Sequence, residues 1–472
     1  MSVLMVSLPI AVALGLGVAL LYRIGLHGRA HPSLWLGAGY GVGLAMVSFG
    51  VALPPLVRLP LTVGWGGLFV ALTWCGLWLV SERLLGCMKQ APPAGPSSKP
   101  PRWENVVWGT GLVLLVVKAG FIGVSAMDKP VMGWDAVAIH SLRAKAMFYD
   151  QTIARSTLEW IGAFDYPLGI PLLELWVTWF QGGWDDTAFK ILFPGFLFAV
   201  LGMVYGVLRE FVRPLTALAG VWLVASLPLL VQHTTDAYLD LPLAYTTLGV
   251  SIFLWRHTRT GEMGDVFIAS LMAAFGVWIK REGVVAAGVG LVLLALWAVM
   301  ARSRTRREAL RALAIFAGMP GLVVTAWAVF RWAGAETPSL SFQPTSLADL
   351  VSRSIAVVVY AARELWTSSN WNVLWPLFAG FWALHARKSL SSESLFFAWP
   401  VVITFGTLLA VSASTEMGEY LKQGTTLHRM ALHVAPLAAV FVAVRVGDTW
   451  AQATDPLRGR DREGRRDRAR PG

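Results

Sequence analysis

The sequence has few charged residues, only two cysteines and no extended polar region of the kind that forms a soluble domain. Charged residues make up 14% of the 472 positions, whereas hydrophobic residues make up 56%. This composition excludes an ordinary soluble protein and indicates an all-α polytopic membrane protein. Cys75 and Cys87 lie in or just after the third apolar segment, so we expect neither a disulfide nor a cysteine-based metal cluster.

Apolar segments of adequate or slightly short length recur along the chain. A helix needs roughly 20 apolar residues to cross a hydrocarbon core of about 30 Å. Thirteen segments are candidates: 3–22, 34–53, 61–80, 105–125, 188–208, 215–231, 240–255, 264–280, 283–300, 312–332, 371–386, 394–413 and 430–446. The first lacks a basic leader and a small-residue cleavage site before Tyr22, so we expect a retained helix and not a signal peptide.

Lysine and arginine are concentrated in alternate loops. With thirteen spans, the following basic residues all fall on one side: Arg23, Arg29, Arg83, Lys89, Lys99, Arg102, Arg209, Arg213, Arg256, Arg259, Arg302, Arg304, Arg306, Arg307, Arg311, Arg387, Lys388 and the tail from Arg458 to Arg470. The positive-inside rule makes that side cytoplasmic, with the N-terminus outside and the C-terminus inside. The net charge of +11 is then mainly a topology signal beside anionic lipid, and no nucleic-acid partner is predicted.

Changes in composition divide the chain into four predicted regions. Residues 1–90 form a three-helix membrane module, and residues 91–103 form a cytoplasmic linker rich in Pro and Ser. Residues 104–446 form the main membrane domain, and residues 447–472 form a basic, disordered cytoplasmic tail. Polar residues are scarce in the first module, so we place any chemistry in the main domain.

The longest stretch that is not itself a span, 127–181, brings carboxylates together with aromatic residues on the predicted outer side. Residues 135–149 have the pattern of an amphipathic helix with Asp135 at its start. Residues 168–181 are apolar over about 14 positions, which is short for a span. We expect this segment to be a helix along the outer surface, with a short tilted span as the alternative.

Two further acids lie at the outer mouth of the sixth and seventh predicted spans. Asp236 and Asp240 are both close to a helix start at Leu241-Pro242. A carboxylate facing lipid costs on the order of 2.5–3.5 kcal/mol at the membrane centre and less at the interface. We therefore expect both acids to face a polar cavity.

Cations also appear on the outer side, where the positive-inside rule disfavours them. Lys280 and Arg281 precede Glu282 at the predicted tip of a helical hairpin, and Arg429 lies at the top of the last span. A solvated turn would explain the first pair. An anion-binding site would explain all three cations.

The ordered set of these features resembles the GT-C fold glycosyltransferases, in particular the bacterial group related to aminoarabinose transferases and protein mannosyltransferases. The resemblance covers roughly 105–445, and the first three spans are additional to the usual core. It is carried by Trp134-Asp135, Asp165-Tyr166-Pro167, Asp236 and Asp240 before Leu241-Pro242-Leu243-Ala244, and Lys280-Arg281-Glu282-Gly283. No one of these motifs is specific by itself.

The resemblance implies an inverting transfer of a sugar from a polyprenyl-phosphate donor to a glycan, lipid or protein of the cell envelope. The reaction would take place on the periplasmic face of the bacterial cytoplasmic membrane. Asp135 matches the family's first-loop acid, the general base for the acceptor hydroxyl, and Asp165 lies where relatives often have an acid or His. Asp236 and Asp240 both match a third acid, and the choice between them stays open.

The chemistry of sugar transfer supports the same residue types. A base must be poised near the acceptor hydroxyl, and a partly buried carboxylate suits this task. Lipid phosphate is already a good leaving group, so cations that hold its developing charge matter more than a strong acid, and Lys280, Arg281 and Arg429 are the candidates. Clustered acids are also compatible with Mg²⁺ or Mn²⁺, although no ligand spacing requires a metal.

Other interpretations of the same residues remain. Asp135 would also serve as a simple helix cap, and His140 and His233 are better explained as polar packing residues than as ligands. A transporter or flippase for a lipid-linked or anionic substrate is the main alternative function. The absence of an inverted repeat and the one-sided charges argue against it. A scaffold for envelope assembly would leave the outer acids without a role.

Overall fold

Apolar segments and short polar turns fold into helices joined by brief connections in the computed structural model of the chain. The structure describes residues 3–85, 101–161, 166–301, 305–332, 347–367, 369–388, 390–415 and 417–454. Within these ranges the chain forms helices and turns and no β-strand. Asp165, most of the predicted linker and most of the predicted tail lie outside them. The polytopic helical class predicted from composition is confirmed.

The helices fall into four groups along the chain. The N-terminal group is α1 Val3–Ile24, α2 Pro32–Ala52, α3 Val63–Leu85 and α4 Arg102–Met127. A π-helix, Ala136–Ser141, follows, with the short helices α5 Leu142–Asp150, α6 Arg155–Trp160 and α7 Gly169–Trp179. The central group is α8 Leu192–Leu208, α9 Pro214–Ala225, α10 Pro228–Thr235, α11 Asp240–Thr260, α12 Met263–Ile279, α13 Gly283–Met300 and α14 Arg306–Trp332. The last group is α15 Leu347–Thr367, α16 Leu374–Leu384, α17 Ser392–Phe397, α18 Trp399–Ser414, α19 Met417–Lys422, α20 Leu427–Leu432 and α21 Ala435–Thr454.

Eight helices of the described chain are long and apolar enough to cross a membrane. They are Met5–Ile24, Pro32–Val57, Val63–Arg83, Arg102–Met127, Ala188–Leu208, Gly283–Met300, Arg306–Arg331 and Ser392–Ser414. The pair α9 and α10, bent by 63° at its break, raises the number to nine if it is one span.

The prediction of thirteen crossings is therefore not confirmed. Each of the remaining predicted spans coincides with helical structure. These helices are too short or too polar to be counted among the eight. Helices α12 and α16 have 17 and 11 residues. Helices α11 and α21 carry charged residues in their interiors, including Arg256 and Arg445.

Helix α2 lies at the centre of the packing, although it belongs to the N-terminal segment. The Tyr245 hydroxyl on α11 donates to the Gly37 carbonyl at 2.8 Å and accepts from the Gly41 amide at 3.0 Å. A Cβ at Gly41 would lie 2.2 Å from the Tyr245 ring, so only glycine permits this approach. Tyr40 donates to the carbonyl of Leu192 on α8 at 2.8 Å. Helix α2 is thus hydrogen-bonded directly to α8 and α11 of the central group.

The apolar segment predicted at 168–181 forms a helix, α7, but this helix is enclosed by protein. Ten of its eleven residues are buried, including Glu174 and Trp176. Trp176 donates its ring N–H to the Pro9 carbonyl of α1 at 3.2 Å, and Ser48 of α2 donates to the Gly169 carbonyl at 2.8 Å. The expectation that this segment lies along the outer surface was wrong, because α1 and α2 cover it.

Charged residues collect at two opposite ends of the helix bundle. Helix α11 connects the ends, with Asp240 as its first residue and Arg256 in its last turns. Sixteen residues separate them, or about 24 Å along a helix. At the Arg256 end this side chain pairs with Glu210 and Asp265. Loops predicted to be cytoplasmic meet at that end, and Asp135, Asp240, Lys280 and Arg429, all predicted to be outside, meet at the other.

Residues at the two ends should be reachable from opposite sides of the membrane. Met132 is 68% exposed at the Asp240 end. Gly28 is exposed at the Arg256 end, and a Cβ there would meet no atom within 4 Å. In a Cys75→Ser, Cys87→Ser background, a membrane-impermeant maleimide applied to sealed cells should label only one of Met132→Cys and Gly28→Cys. Permeabilisation should expose the other, whereas labelling of both in sealed cells would contradict the two-ended arrangement.

Candidate functional site

The carboxylate of Asp240 is fully buried at the centre of a charged cluster. Its Oδ1 accepts from Lys280 Nζ at 2.6 Å and lies 2.8 Å from His433 Nε2. Its Oδ2 accepts from Arg429 Nε at 2.9 Å, and His233 Nδ1 lies 3.6 Å away. A buried carboxylate is stable only when it is paired and hydrogen-bonded, and this one has partners on both oxygens.

Four separate chain segments deliver these side chains. Asp240 opens α11, where the helix dipole favours an acid. Lys280 follows the last residue of α12 in the tight turn before α13. Arg429 lies in α20, and His433 comes directly after that helix. His233 lies in α10. The Asp240 cluster, defined by these five residues, therefore joins α10, α11, the α12–α13 turn and α20.

Asp135 reaches the same cluster through Arg429. Its Oδ2 lies 2.5 Å from Arg429 Nη1, and its side chain is 24% exposed, compared with 0% for Asp240. The backbone of Asp135 is helical and its side chain makes no capping hydrogen bond to the π-helix that follows. The alternative that Asp135 is a simple helix cap was therefore wrong.

The two cations bound to Asp240 remain charged despite their burial. Burial lowers the pKa of Lys280, but the carboxylates of Asp240 and Glu282 outweigh it and raise the pKa above its ordinary value. The pKa of Arg429 is likewise raised, because Asp240 and Asp135 outweigh the effect of burial. Lys280 is 5% exposed and also lies 3.2 Å from Glu282. Its ammonium is thus enclosed by carboxylates.

Aromatic rings line the exposed edge of the site. The guanidinium of Arg429 lies over the Tyr238 ring at 5.1 Å from its centroid, and that of Arg281 lies over the Tyr166 ring at 4.7 Å. Such cation–π contacts attract a guanidinium to the face of an aromatic ring. Trp134, next to Asp135, is 77% exposed. Asp135, Arg429 and Tyr238 thus lie together at this edge, and Arg281 follows Lys280 of the cluster in the chain.

Asp236 and Asp240 have different surroundings. Asp240 binds the cations, whereas Asp236 is half-buried and its Oδ1 accepts from Thr235 Oγ1 at 3.4 Å. The Asp236 carbonyl lies 2.7 Å from the position of a Cβ at Gly133, so the Asp135 loop passes close to its backbone. Glycine at position 133 allows this approach. Asp165 cannot be placed in the site, because it lies outside the described residues.

A buried polar pair supports the loop that carries Asp135. Ser141, at the end of the π-helix, donates to Glu174 Oε1 of α7 at 3.2 Å. Glu174 is fully buried, and burial raises the pKa of its carboxyl to about 8, against a weaker opposing effect of Ser141. The side chain is therefore neutral at pH 7. It bonds the π-helix to α7 without introducing a charge.

His140 is a packing residue, as the sequence indicated. It is 1% exposed and its ring meets the edge of Tyr166 at a centroid distance of 5.6 Å. Burial and the nearby cations Arg143, Lys280 and Arg429 hold the pKa of His140 well below its usual value. The imidazole of His140 is therefore neutral, and it packs against the Tyr166 ring that lies beneath Arg281.

Two histidines of the cluster were missed as site residues. His433 was not considered, although it lies four residues after Arg429, a spacing that places two side chains on one helix face. His233 was treated as packing alone, and it is buried beside both Asp240 and the Tyr238 ring. The i, i+4 spacing was a usable signal for His433, whereas nothing in the sequence pairs His233 with Asp240.

The carboxylates of the site bind protein cations. Both oxygens of Asp240 have basic partners, and Asp135 is bound by Arg429. Within the described ranges, no group of three or more His, Cys, Asp and Glu side chains is arranged to hold a metal ion. The Mg²⁺ or Mn²⁺ considered from the sequence has no ligand set among these residues.

Comparisons with known proteins leave the geometry of the site as the basis for a functional conclusion. No protein-family model matches the chain, and no curated protein matches it significantly. The resemblance to GT-C enzymes therefore depends only on the residues quoted for it.

Replacing Asp240 should destabilise the fold. In Asp240→Asn the buried Lys280 ammonium loses its principal anion, which costs about 3 kcal/mol or more when one partner of a buried pair is removed. We expect a clear fall in the thermal unfolding temperature of the purified protein in detergent. Asp150→Asn, at an exposed acid bonded to Thr157, is the control and should change it little. An equal loss in both variants would show that the cluster is not the stabilising element.

Replacing Glu174 should change how stability depends on pH. The pKa is about 8 in the folded chain and about 4.3 for an exposed glutamate. The folded state therefore binds a proton that the unfolded state has lost, and stability falls as pH rises through this window, then levels off above it. Glu174→Gln keeps the acceptor for Ser141 and cannot ionise.

The advantage of Glu174→Gln over the unmodified protein should thus grow from pH 5 to pH 8, in thermal unfolding scans across that range. Glu159→Gln, at a side chain 44% exposed, is the control and should show no such growth. A constant difference between Glu174→Gln and the parent at every pH would contradict a neutral, buried Glu174.

Proposed function

We propose that the protein is a membrane glycosyltransferase that moves a sugar from a polyprenyl-phosphate donor to an acceptor of the cell envelope. The observation that carries the proposal is the pairing of Asp135 with Arg429. A partly exposed carboxylate lies 2.5 Å from a guanidinium whose other edge is fixed by the buried Asp240. A base for the acceptor and a cation for the donor phosphate thus belong to one site, where they would flank the anomeric carbon of a bound donor.

In the proposed reaction Asp135 takes the proton of the acceptor hydroxyl. The acceptor oxygen attacks the anomeric carbon from the face opposite the phosphate and forms the new glycosidic bond. The bond between the anomeric carbon and the phosphate oxygen breaks, and the electron pair leaves with the phosphate. The charge that develops there would be held by Arg429 and Arg281.

The roles of the other charged residues differ from those expected of them. Lys280 was expected to bind phosphate, but it is almost fully buried between Asp240 and Glu282. We assign Lys280 and Asp240 to positioning Arg429, and this leaves Arg429 and Arg281 as the phosphate-binding residues. We do not assign a chemical role to Asp236, and Asp165 stays a candidate acid from the sequence.

The exposed aromatic side chains fit a sugar at the same place. Trp134 adjoins Asp135, and the rings of Tyr166 and Tyr238 lie under the two guanidinium groups. Aromatic faces pack against the apolar faces of sugar rings, whose hydroxyls bond to neighbouring charged groups. The end of the bundle that carries this site is the predicted periplasmic end, so the lipid-linked donor would enter from the outer leaflet.

Loss of the base should slow transfer strongly. Purified protein is incubated with an envelope fraction and a panel of polyprenyl-phosphate sugars labelled in the lipid, and release of free polyprenyl phosphate is measured. Asp135→Asn should lower the rate by roughly 10²–10⁴-fold, the range for a general base. Asp150→Asn, on the same loop at an exposed acid bonded to Thr157, should retain activity.

Unchanged turnover in Asp135→Asn would exclude Asp135 as the base. If no donor is cleaved but the labelled lipid crosses the bilayer of reconstituted vesicles, the protein is a transporter or flippase and the enzyme proposal fails.

A further inference from the structure

Arg429 binds its two carboxylates through different edges of the guanidinium. Nε bonds to Asp240 and Nη1 bonds to Asp135, while one face rests on the Tyr238 ring. An arginine presents five N–H donors in a rigid planar fork that suits a carboxylate or a phosphate. The Asp135 carboxylate therefore occupies an edge that a phosphate oxygen could also take.

The two carboxylates are not held equally. Asp240 is fully buried and also bound by Lys280 and His433. Asp135 has a side chain 24% exposed, and its carboxylate has no capping bond to the π-helix. An ion pair open to water contributes little, typically 0–1 kcal/mol, whereas breaking a buried pair is expensive. An incoming anion would displace Asp135 and leave Asp240 in place.

Backbone packing limits the exchange to the Asp135 side chain. A Cβ at Gly133 would lie 2.7 Å from the Asp236 carbonyl and 3.0 Å from the Tyr238 ring. The Val137 amide donates to the Gly133 carbonyl at 2.8 Å, which closes the turn. Rotation of the Asp135 side chain is therefore enough to free its carboxylate, without movement of the loop.

We propose that the phosphate of the lipid donor replaces Asp135 at Nη1 of Arg429, so that donor binding itself releases the catalytic base. The inference depends on the proposed function and extends it to the order of binding. No covalent bond changes in this step, since one anion is exchanged for another on a guanidinium. Without donor the base is neutralised by Arg429, and with donor it is free to accept the proton of the acceptor hydroxyl.

The exchange predicts opposite effects of one substitution on binding and on turnover. Asp135→Asn removes the competing anion and its repulsion, so farnesyl phosphate should bind the purified protein in nanodiscs about 2- to 5-fold more tightly, in line with the energy of a partly exposed ion pair. The same variant should lose transfer. Asp135→Ser gives a second test of the same change. Arg429→Lys should weaken binding, and Asp150→Asn should leave it unchanged.

An inorganic phosphate titration identifies which part of the ligand exchanges. If Asp135→Asn binds inorganic phosphate and farnesyl phosphate more tightly by the same factor, the phosphate group alone exchanges with Asp135. If only the affinity for farnesyl phosphate rises, the exchange requires the lipid-borne phosphate.

Two results would separate failure of the exchange from failure of the proposed function. If Arg429→Lys weakens binding but neither Asp135 variant binds more tightly, the phosphate site stands and the exchange is wrong. If the unmodified protein and all variants fail to bind farnesyl phosphate and cleave no donor, the proposed function fails and the exchange with it.

Discussion

The buried carboxylate of Asp240 is the interaction on which the rest of this end of the molecule depends. It is withdrawn from water, and such an ion persists only if cations and hydrogen-bond donors surround it. Lys280 meets that need from the turn between α12 and α13, and Arg429 and His433 meet it from α20 and the residue after it. The requirement for charge compensation thus fixes the relative positions of α10, α11, α20 and the turn between α12 and α13. It also fixes the edge of Arg429 that faces Asp135.

Buried charges are also paired with opposite charges at the other end of the bundle. Arg256 lies between Glu210 and Asp265, and Arg29 pairs with Glu262 at 3.1 Å. Between the two ends the helices pack through apolar side chains and close glycine contacts, with Tyr245 joining α11 to α2. The ion pairs of these two clusters therefore lie at the ends, and the apolar length between them suits a bilayer. A surface site at one end is compatible with this separation, and it is where the proposed reaction is assigned.

Much of the cluster could be expected from the sequence. Alternation of basic loops placed Asp135, Asp240, Lys280 and Arg429 on one side, and the structure brings these four residues into one ion-pair network. The sequence could not distinguish Asp240 from Asp236, because both lie near the start of the same helix and only packing decides which is buried. The burial of α7 was missed for a similar reason, since an apolar segment of its length is compatible with lipid, headgroups or protein as its surroundings.

Residue order and composition determined by themselves that this chain is a helical membrane protein with charges of both signs at one end. The reason is that hydropathy and the Lys and Arg distribution act locally, through transfer of each segment to lipid and through loop charge. The three-dimensional fold decided the partners. His433 and His233 join Asp240, Lys280 becomes a buried counterion, and Arg429 joins a buried acid to an accessible one. These pairings link residues distant in sequence, and their energies depend on burial, which exists only after the helices have packed.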